Sequence, residues 1–545
     1  MRVPTWIRAH PRAAIAAGLA GAFGALVLAS QLPRRRRQRE EAIPERAPPQ
    51  RETRLAQGAA RQSADHPDLS GLHLLEDGVD AFAARLLLVR SAQRTLDLQY
   101  YIWHGDRTGT LLLEELHKAA ERGVRVRLLL DDNGIAGLDR VLAALDAHPW
   151  MEVRLFNPFR IRWPKSIGYL TDFRRLNRRM HNKSFTADGA VTIVGGRNVG
   201  DEYFGAGKGA LFADLDVLAI GPVVADVAAD FQRYWECAAA FPATQILRPV
   251  SPHHRRKLVR RASIVERDPS ARAYVERLET LPLVQQVEDA SMPFQWAKVE
   301  MISDDPAKAQ GQAGRDGLLA GRLMKAIGEP TSQLGVISGY FVPGEQGVDQ
   351  FCELAGRGVE VCILTNGYSA TDVPLVHAGY APWRRQLLEA GVHLFEIARR
   401  AENDPSRKDR RRHERKGVRL GIGSNLAGSG SGVLAAHRAG ASTLHAKTFT
   451  VDRQRLFIGS FNLDPRSIEL NTELGFIIHN PKMAGQVADA FHDTIPAAAW
   501  RVRLTGDGAM EWQRGDETCR DEPGMGTAGH LLIAIASRLP IAWLL

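Results

Sequence analysis

The sequence predicts an α/β fold of two pseudo-twofold-related lobes, each a mainly parallel β-sheet flanked by helices, with a single active site at their interface. Three observations carry that expectation. The pattern HxKxxxxDxxxxxxG[GS]xN occurs twice, as His181, Lys183, Asp188, Gly195, Gly196 and Asn198 and again as His445, Lys447, Asp452, Gly459, Ser460 and Asn462. Its constrained positions match by chance at roughly one start in 10⁷ on ordinary composition. Strand, helix and strand precede both copies in the same order, and an acid–leucine pair with a proline-led helical pattern follows both.

From the N-terminus, residues Ala13 to Pro33 carry no charge; Arg2, Arg8 and Arg12 precede them, and Arg34 to Arg37 and Arg39 follow. Such a stretch can span a bilayer, or be a cleaved signal with Val27 and Ala29 at the cut. The heavier basic flank on its C-terminal side favours an uncleaved anchor with the catalytic part in the cytoplasm. Residues 1–37 are therefore read as an anchor or signal segment. Residues 38–68, rich in Arg, Glu, Pro, Ala and Gln, are read as a flexible linker.

Residues 69–250 are expected to form the first lobe. Thr95 to Trp103 is apolar and aromatic enough for a buried strand, Leu111 to Glu121 has helical periodicity, and Val124 to Leu130 is a second strand. A connecting segment, 251–300, leads to the second lobe at 301–500. There Leu334 to Val342 reads as a strand, Val348 to Ala355 as a helix and Val359 to Leu364 as a strand, and Arg357-Gly358-Val359 answers Arg122-Gly123-Val124. Each motif reads as a hairpin. In His181–Ala187 and His445–Val451 the His and Lys, two apart, share a face, while Asp188-Gly189 and Asp452-Arg453 make the turns. Residues 501–545 form a C-terminal tail whose apolar end, Leu531 to Leu545, is too short to span as a helix; it is either interfacial or docked on the core.

With 545 residues, 44% of them hydrophobic, the chain is neither disordered nor fibrous, and its net charge of +9 suits an anionic partner, nucleic acid or membrane. Cys237, Cys352, Cys362 and Cys519 form no CxxC pair, so they are expected to be free, mostly buried thiols rather than disulfides or a zinc site.

Two matched His–Lys pairs brought to one cleft suit a phosphodiester. The lysines and the asparagines Asn198 and Asn462 can neutralise and orient non-bridging oxygens, and Gly195, Gly196 and Gly459 would let backbone approach the anion. One histidine can attack phosphorus while the other serves as acid and then base, so the chemistry requires no metal or other cofactor. A nucleophilic imidazole must be held by its other nitrogen. Asp214 and Glu473, in matched places after the motifs, are the candidates. Asp188 and Asp452 are assigned to structure at the turns, with indirect influence on the site.

The chain resembles the phospholipase D superfamily, whose HKD motifs these are, and within it the bacterial cardiolipin synthases of the C type. The resemblance covers about Leu69 to Leu545. It rests on Tyr100–His104 (YYIWH), Leu128–Gly134 (LLLDDNG), Arg178–Gly189 (RRMHNKSFTADG), Val194–Asn198 (VGGRN), Gly200–Gly205 (GDEYFG) and the terminal LPIAWLL. It implies two phospholipase D lobes, with His181 as nucleophile and His445 as acid/base. Lys183, Lys447, Asn198 and Asn462 would bind phosphate together with Gly196 and Ser460, and Asp214 and Glu473 would orient the histidines. The charged run 407–419 and the Gly/Ser-rich run 421–432 are where departure from the family is expected.

Among weaker features, Arg174, Arg175, Arg178 and Arg179 either guide an anionic headgroup or form a solvated face. Asp131 and Asp132 are read as local caps rather than substrate contacts. Tyr100, Trp103, His104 and Phe341 are candidates for the cleft wall or for the core. The implied reaction is phosphatidyl transfer making cardiolipin from phosphatidylglycerol and a second phospholipid, such as phosphatidylethanolamine, through a phosphohistidine, without metal. Phospholipase D hydrolysis to phosphatidic acid, and then nucleic-acid cleavage, are the alternatives; a noncatalytic scaffold would show a decayed motif. The expected partners are phospholipids and a membrane surface, not nucleic acid, and the expected location is the bacterial inner membrane.

Overall fold

The computed structural model describes residues 50–206, 211–251, 253, 274–276, 278, 291–398 and 442–537. The charge-free stretch 13–33, the runs 407–419 and 421–432, and the apolar end beyond residue 537 lie outside the described residues. Among the described residues no helix is long and apolar enough to cross a membrane.

The first lobe runs α1 (Arg54–Gln62), β1 (Ser70–Leu75), α2 (Gly78–Ser91), β2 (Thr95–Ile102), α3 (Arg107–Glu121), β3 (Arg125–Gly134), β4 (Met151–Phe156), α4 (Ile167–Leu176), β5 (Ser184–Ala187), β6 (Val191–Gly195), β7 (Leu211–Ala213), β8 (Asp216–Ile220), α5 (Val223–Glu236) and β9 (Ala240–Pro242). The second runs β10 (Gln295–Ser303), β11 (Gln333–Ser338), α6 (Gly344–Gly356), β12 (Glu360–Asn366), α7 (Pro374–Tyr380), β13 (His393–Ile397), β14 (Ser442–Leu444), β15 (Lys447–Val451), β16 (Arg455–Gly459), α8 (Pro465–Glu469), β17 (Leu474–His479), α9 (Pro481–Ala490), β18 (Trp500–Leu504), β19 (Met510–Arg514), β20 (Glu517–Cys519) and α10 (Thr527–Ala536).

Hydrogen-bonded neighbours give the order β9-β4-β3-β2-β5-β6-β8-β1 in one lobe. In the other the order is β10-β17-β16-β15-β11-β12-β13-β18. Strands β2-β3-β4 and β11-β12-β13 are parallel, as βαβ crossovers require, and the histidine hairpins and the strands beyond them are antiparallel, so each sheet is mixed. The two orders mirror each other about the antiparallel pair β1–β10, which joins the lobes into one continuous sheet. Beneath the seam lies a shared apolar core of Leu72, Val194 and Val217 against Leu456, Ile458, Leu474 and Phe476.

Local chemistry explains the repeat. Gly123 and Gly358 each follow a helix with φ of 87°, the left-handed conformation that ends a helix without a Cβ penalty. Asp188 and Gly189, like Asp452 and Arg453, all have positive φ, which is the two-residue turn matched to the twist of a hairpin.

Several expectations change. Residues 38–68 are not wholly a tether: Thr53 caps α1 by accepting from the Ala56 amide, and Leu55 and Ala59, one helical turn apart, pack on the first lobe's core. Residues 501–519 are not tail, since β18 pairs with β13 and β19 and β20 extend that sheet. Of the cysteines, all free, only Cys362 is buried. The histidines themselves stand just before β5 and β15 rather than within them.

Candidate active site

The two motifs meet through an exchange of backbone across the lobes. The His181 amide donates to the Thr472 carbonyl at 2.8 Å, and the His445 amide to the Ala213 carbonyl at 2.8 Å. Strand β7 lies parallel to β14, with Ala213 opposite Leu444, and Met180 bridges to Thr472 in the same way. Thr472 and Ala213 immediately precede Glu473 and Asp214. Each histidine is therefore held by the other lobe's acid: His181 Nδ1 donates to Glu473 Oε2 at 2.8 Å, and His445 Nδ1 to Asp214 Oδ2 at 2.7 Å. With Nδ1 so engaged, Nε2 is the nitrogen available for chemistry.

Lys183 and Lys447 are buried, and each ammonium donates back to the carbonyl of its own motif's histidine. Burial pushes Lys183 down to about 7 and Lys447 down to about 8. Burial and then the nearby lysines lower both imidazoles, His181 well below its ordinary value and His445 to about 3, so both rings are neutral. The carboxylates differ. Although burial opposes it, the His445 ring holds Asp214 well below the usual carboxylate range, while burial raises Glu473 to about 7 against the pull of Lys183, Ser460 and Ser467.

The residues around the acids explain the difference. Ser460 Oγ donates to Glu473 Oε2 and Ser467 Oγ to Oε1 at 2.9 Å, while Asp304, ion-paired to buried Lys308, accepts the Glu473 amide at 2.9 Å. Asp214 is backed instead by Arg197, which donates to its carbonyl and pairs with Asp216, itself paired with Arg85.

The geometry gives several of the sequence-derived residues more specific surroundings. Ser460 serves Glu473 rather than offering its hydroxyl to phosphate. At Gly196 a Cβ would lie 2.1 Å from Asp214 Oδ1, so this glycine admits the orienting carboxylate, not a bound anion. Asn198 is held in place by accepting from the Ile102 amide and donating one Nδ2 hydrogen to the Tyr203 hydroxyl at 2.8 Å. Asn462 is buried and makes no side-chain hydrogen bond among the described residues; its Nδ2 amide, not the acceptor Oδ1, is the group that can donate to a phosphate oxygen. Asp188 and Asp452 do not serve their own turns: Asp188 accepts from the amides of Gln93, Arg94 and Thr95, and Asp452 from those of Thr331, Ser332 and Gln333, tying each hairpin to the start of β2 or β11.

Strand alternation decides the aromatic wall. Tyr100, Trp103 and Phe341 are core, and their neighbours Tyr101 and Tyr340 face the histidines. Tyr101 stands edge-on to His181 at 5.0 Å, and Tyr203 and Tyr340 to His445 at 5.6 and 6.3 Å. His104 pairs with Glu202 at 2.7 Å. Asp131 clamps the approach to His181, accepting from the Met180 amide and pairing with buried Arg179. Asp132 accepts the Phe159 amide and binds Arg162 and Lys165, so neither acid is merely a local cap. Arg175 pairs with Asp172 and Arg178 donates to the Lys308 and Glu469 carbonyls, whereas Arg174 is exposed. Tyr101 and Tyr203 stood in the quoted motifs; Asp304, Lys308 and Ser467 had no local signal.

This arrangement offers two imidazoles, two buried lysines and acids that lock both ring orientations, a set of groups able to carry out displacement at phosphorus. The family description "Cardiolipin synthase, PLD-like domain" matches residues 86–235 and 323–495. Cardiolipin synthase C of Escherichia coli (strain K12) is 46% identical over 496 residues, spanning 90% of this chain and 100% of that protein. An uncharacterized protein of Helicobacter pylori (strain ATCC 700392 / 26695) is 32% identical over 439 residues, 80% of this chain and 81% of its own length. In fold, the crystal structure of phosphatidylserine synthase from Haemophilus influenzae Rd KW20 superposes with a TM-score of 0.54 at 13% identity, covering 89% of this chain and 98% of that one.

Proposed function

This chain belongs to the cardiolipin synthase family of the phospholipase D superfamily, and we propose that it makes cardiolipin as a phosphatidyltransferase working through a phosphohistidine on His181. The observation that carries the reading is the crossed locking of two neutral imidazoles, each with Nδ1 held by the opposite lobe's acid, between two buried lysines.

His181 Nε2 attacks the phosphorus of a phospholipid donor as the bond to the headgroup alcohol breaks, and His445 gives that alcohol a proton. His445 then takes the proton from a hydroxyl of phosphatidylglycerol, whose oxygen displaces His181 and forms cardiolipin. The ionised Asp214 beside His445 supports the acid/base assignment, because it stabilises an imidazolium. Burial and Lys447 push His445 down to about 3; a phosphodiester anion between the lysines acts in the opposite direction and couples its protonation to substrate binding. Lys183 and Lys447 balance the charge that develops on the non-bridging oxygens, and Asn462 Nδ2 donates to one of them.

The substrates are phospholipids, with phosphatidylglycerol as acceptor and phosphatidylglycerol or phosphatidylethanolamine as donor, and the protein is membrane-associated. Helix α10 supports contact with the membrane: Ile533 and Ala536 dock it on Ala378 of α7, while Leu531, Leu532 and Ile535 stay exposed. Anchoring through 13–33 and a cytoplasmic active site complete the proposal.

The test is incubation of purified protein with labelled phosphatidylglycerol, with and without phosphatidylethanolamine, followed by product analysis. Cardiolipin is expected. Phosphatidic acid alone would make the enzyme a hydrolase, and cleaved DNA without lipid turnover would overturn the reading.

A further inference from the structure

We propose that the edge of the first lobe formed by residues 158–178 is the surface on which this enzyme docks to an anionic bilayer, placing the His181 side of the cleft at the lipid; the proposal rests on the lipid-substrate reading above. Trp163 is 89% exposed and Leu170, on α4, is 72% exposed; among the described residues of the first lobe they are the large hydrophobic side chains that stand exposed. Solvation of an isolated tryptophan and leucine is unfavourable in water, and tryptophan is the side chain best suited to the interface between headgroups and acyl chains.

Charge complementarity selects the partner. Arg162 and Lys165 are matched by Asp132 and Asp139, and Arg175 by Asp172. Arg160 and Arg174 make no ion pair among the described residues, and Arg178 meets only backbone carbonyls. Three guanidiniums not neutralised by a carboxylate therefore accompany the exposed apolar pair, the combination that binds anionic headgroups while burying apolar surface.

The edge is wired to the reacting centre. Tyr169, next to Leu170, donates from its hydroxyl to Asn133 Oδ1 at 3.1 Å, Asn133 Nδ2 donates to the Tyr101 hydroxyl at 3.4 Å, and the Tyr101 ring stands against His181. On the other side, Arg466 of α8 donates to Asn177 at the end of α4, the next residue but one, Ile468, is partly exposed, and Ser467 holds Glu473. A bilayer engaged by Trp163 and Leu170 therefore lies against the helices that flank the His181–Glu473 pair, and a headgroup can reach phosphorus attack without its acyl chains leaving the lipid phase.

The experiment uses the full chain carrying Trp163→Asp and Leu170→Asp together, assayed on phosphatidylglycerol vesicles and on monomeric dihexanoyl phosphatidylglycerol. Turnover on vesicles is expected to fall tenfold or more, with turnover of the monomeric lipid within twofold of the unsubstituted enzyme. An equal loss on both lipids, or no loss on either, overturns the proposal. Backbone hydrogen exchange of 158–178 in the unsubstituted protein decides independently of catalysis. Protection is expected in nanodiscs containing phosphatidylglycerol over phosphatidylcholine discs; no protection, or equal protection in both, overturns docking on an anionic surface. An unsubstituted enzyme that turns over neither lipid sinks the functional reading, while the exchange result still decides the docking.

Discussion

Replacing Asp214 by Asn should disable the histidine of the other lobe, His445, and leave His181 able to attack. Asp214 and His445 are both buried and 2.7 Å apart, so the variant keeps the shape of the site but loses the charge that stabilises the His445 imidazolium. Removing one partner of a buried pair costs about 3 to 5 kcal/mol. At about 1.4 kcal/mol per tenfold, the transfer should slow roughly 10²- to 10⁴-fold. The assay is a burst measurement with a p-nitrophenyl ester of phosphatidic acid, whose leaving group departs without a proton. Asp214→Asn should release about one equivalent of nitrophenol and then stall with the adduct on His181, because the acceptor is no longer deprotonated. Glu473→Gln, which unlocks His181, should lose the burst. If Asp214→Asn abolishes the burst while the unsubstituted enzyme carries its adduct on His181, the crossed pairing is refuted; an adduct on His445 would reverse the assignment of nucleophile.

Because burial depresses Lys183 to about 7 and Lys447 to about 8, kcat/KM should fall as pH rises through that interval; a bound phosphodiester stabilises the charged amines, so the limb in kcat should lie higher. Coincident limbs in a full pH profile would contradict this. Gly196→Ala sets a Cβ 2.1 Å from Asp214 Oδ1, an overpacking that costs about 1 to 3 kcal/mol, and should lower both the unfolding temperature and the transfer rate. Ser460→Ala, by contrast, should slow transfer with little loss of stability, read from kinetics beside a thermal scan. Against the opposing effect of burial, the amides of Ser332, Gln333 and Thr331 pull Asp452 down to about 2. The stability it contributes is therefore present above its unfolded value and lost as pH falls through about 4 toward 2, so Asp452→Ala should be less stable at neutral pH and converge with the unsubstituted protein in acid. Thermal scans across pH check it.

The repeated HKD pattern, the strand–helix–strand order before each copy and the Arg-Gly-Val steps were legible because each reports local chemistry: hydrophobic period, left-handed turn residues and helix ends. The paired lobes and the histidine, lysine and acid sets followed from them. Helix α1 was not legible, because among the described residues only Leu55 and Ala59 of this polar, alanine-rich stretch pack on the lobe's core. Tyr100 and Tyr101 could not be told apart by composition, since adjacent strand residues face opposite sides and a run of aromatics does not say which side is the cleft.

Sequence by itself determined the two HKD motifs, their matched acids and the sharp turns that hold Asp188 and Asp452, because these depend on residue type at short spacing. Only the tertiary structure decided which acid serves which histidine. Backbone exchange places Thr472 on His181 and Ala213 on His445, and the next residue in each chain segment is the carboxylate, so the pairing crosses the lobes. Packing within each lobe sets Ser460 and Asp304 on Glu473 but Arg197 on Asp214, and so makes two like motifs electrostatically unequal.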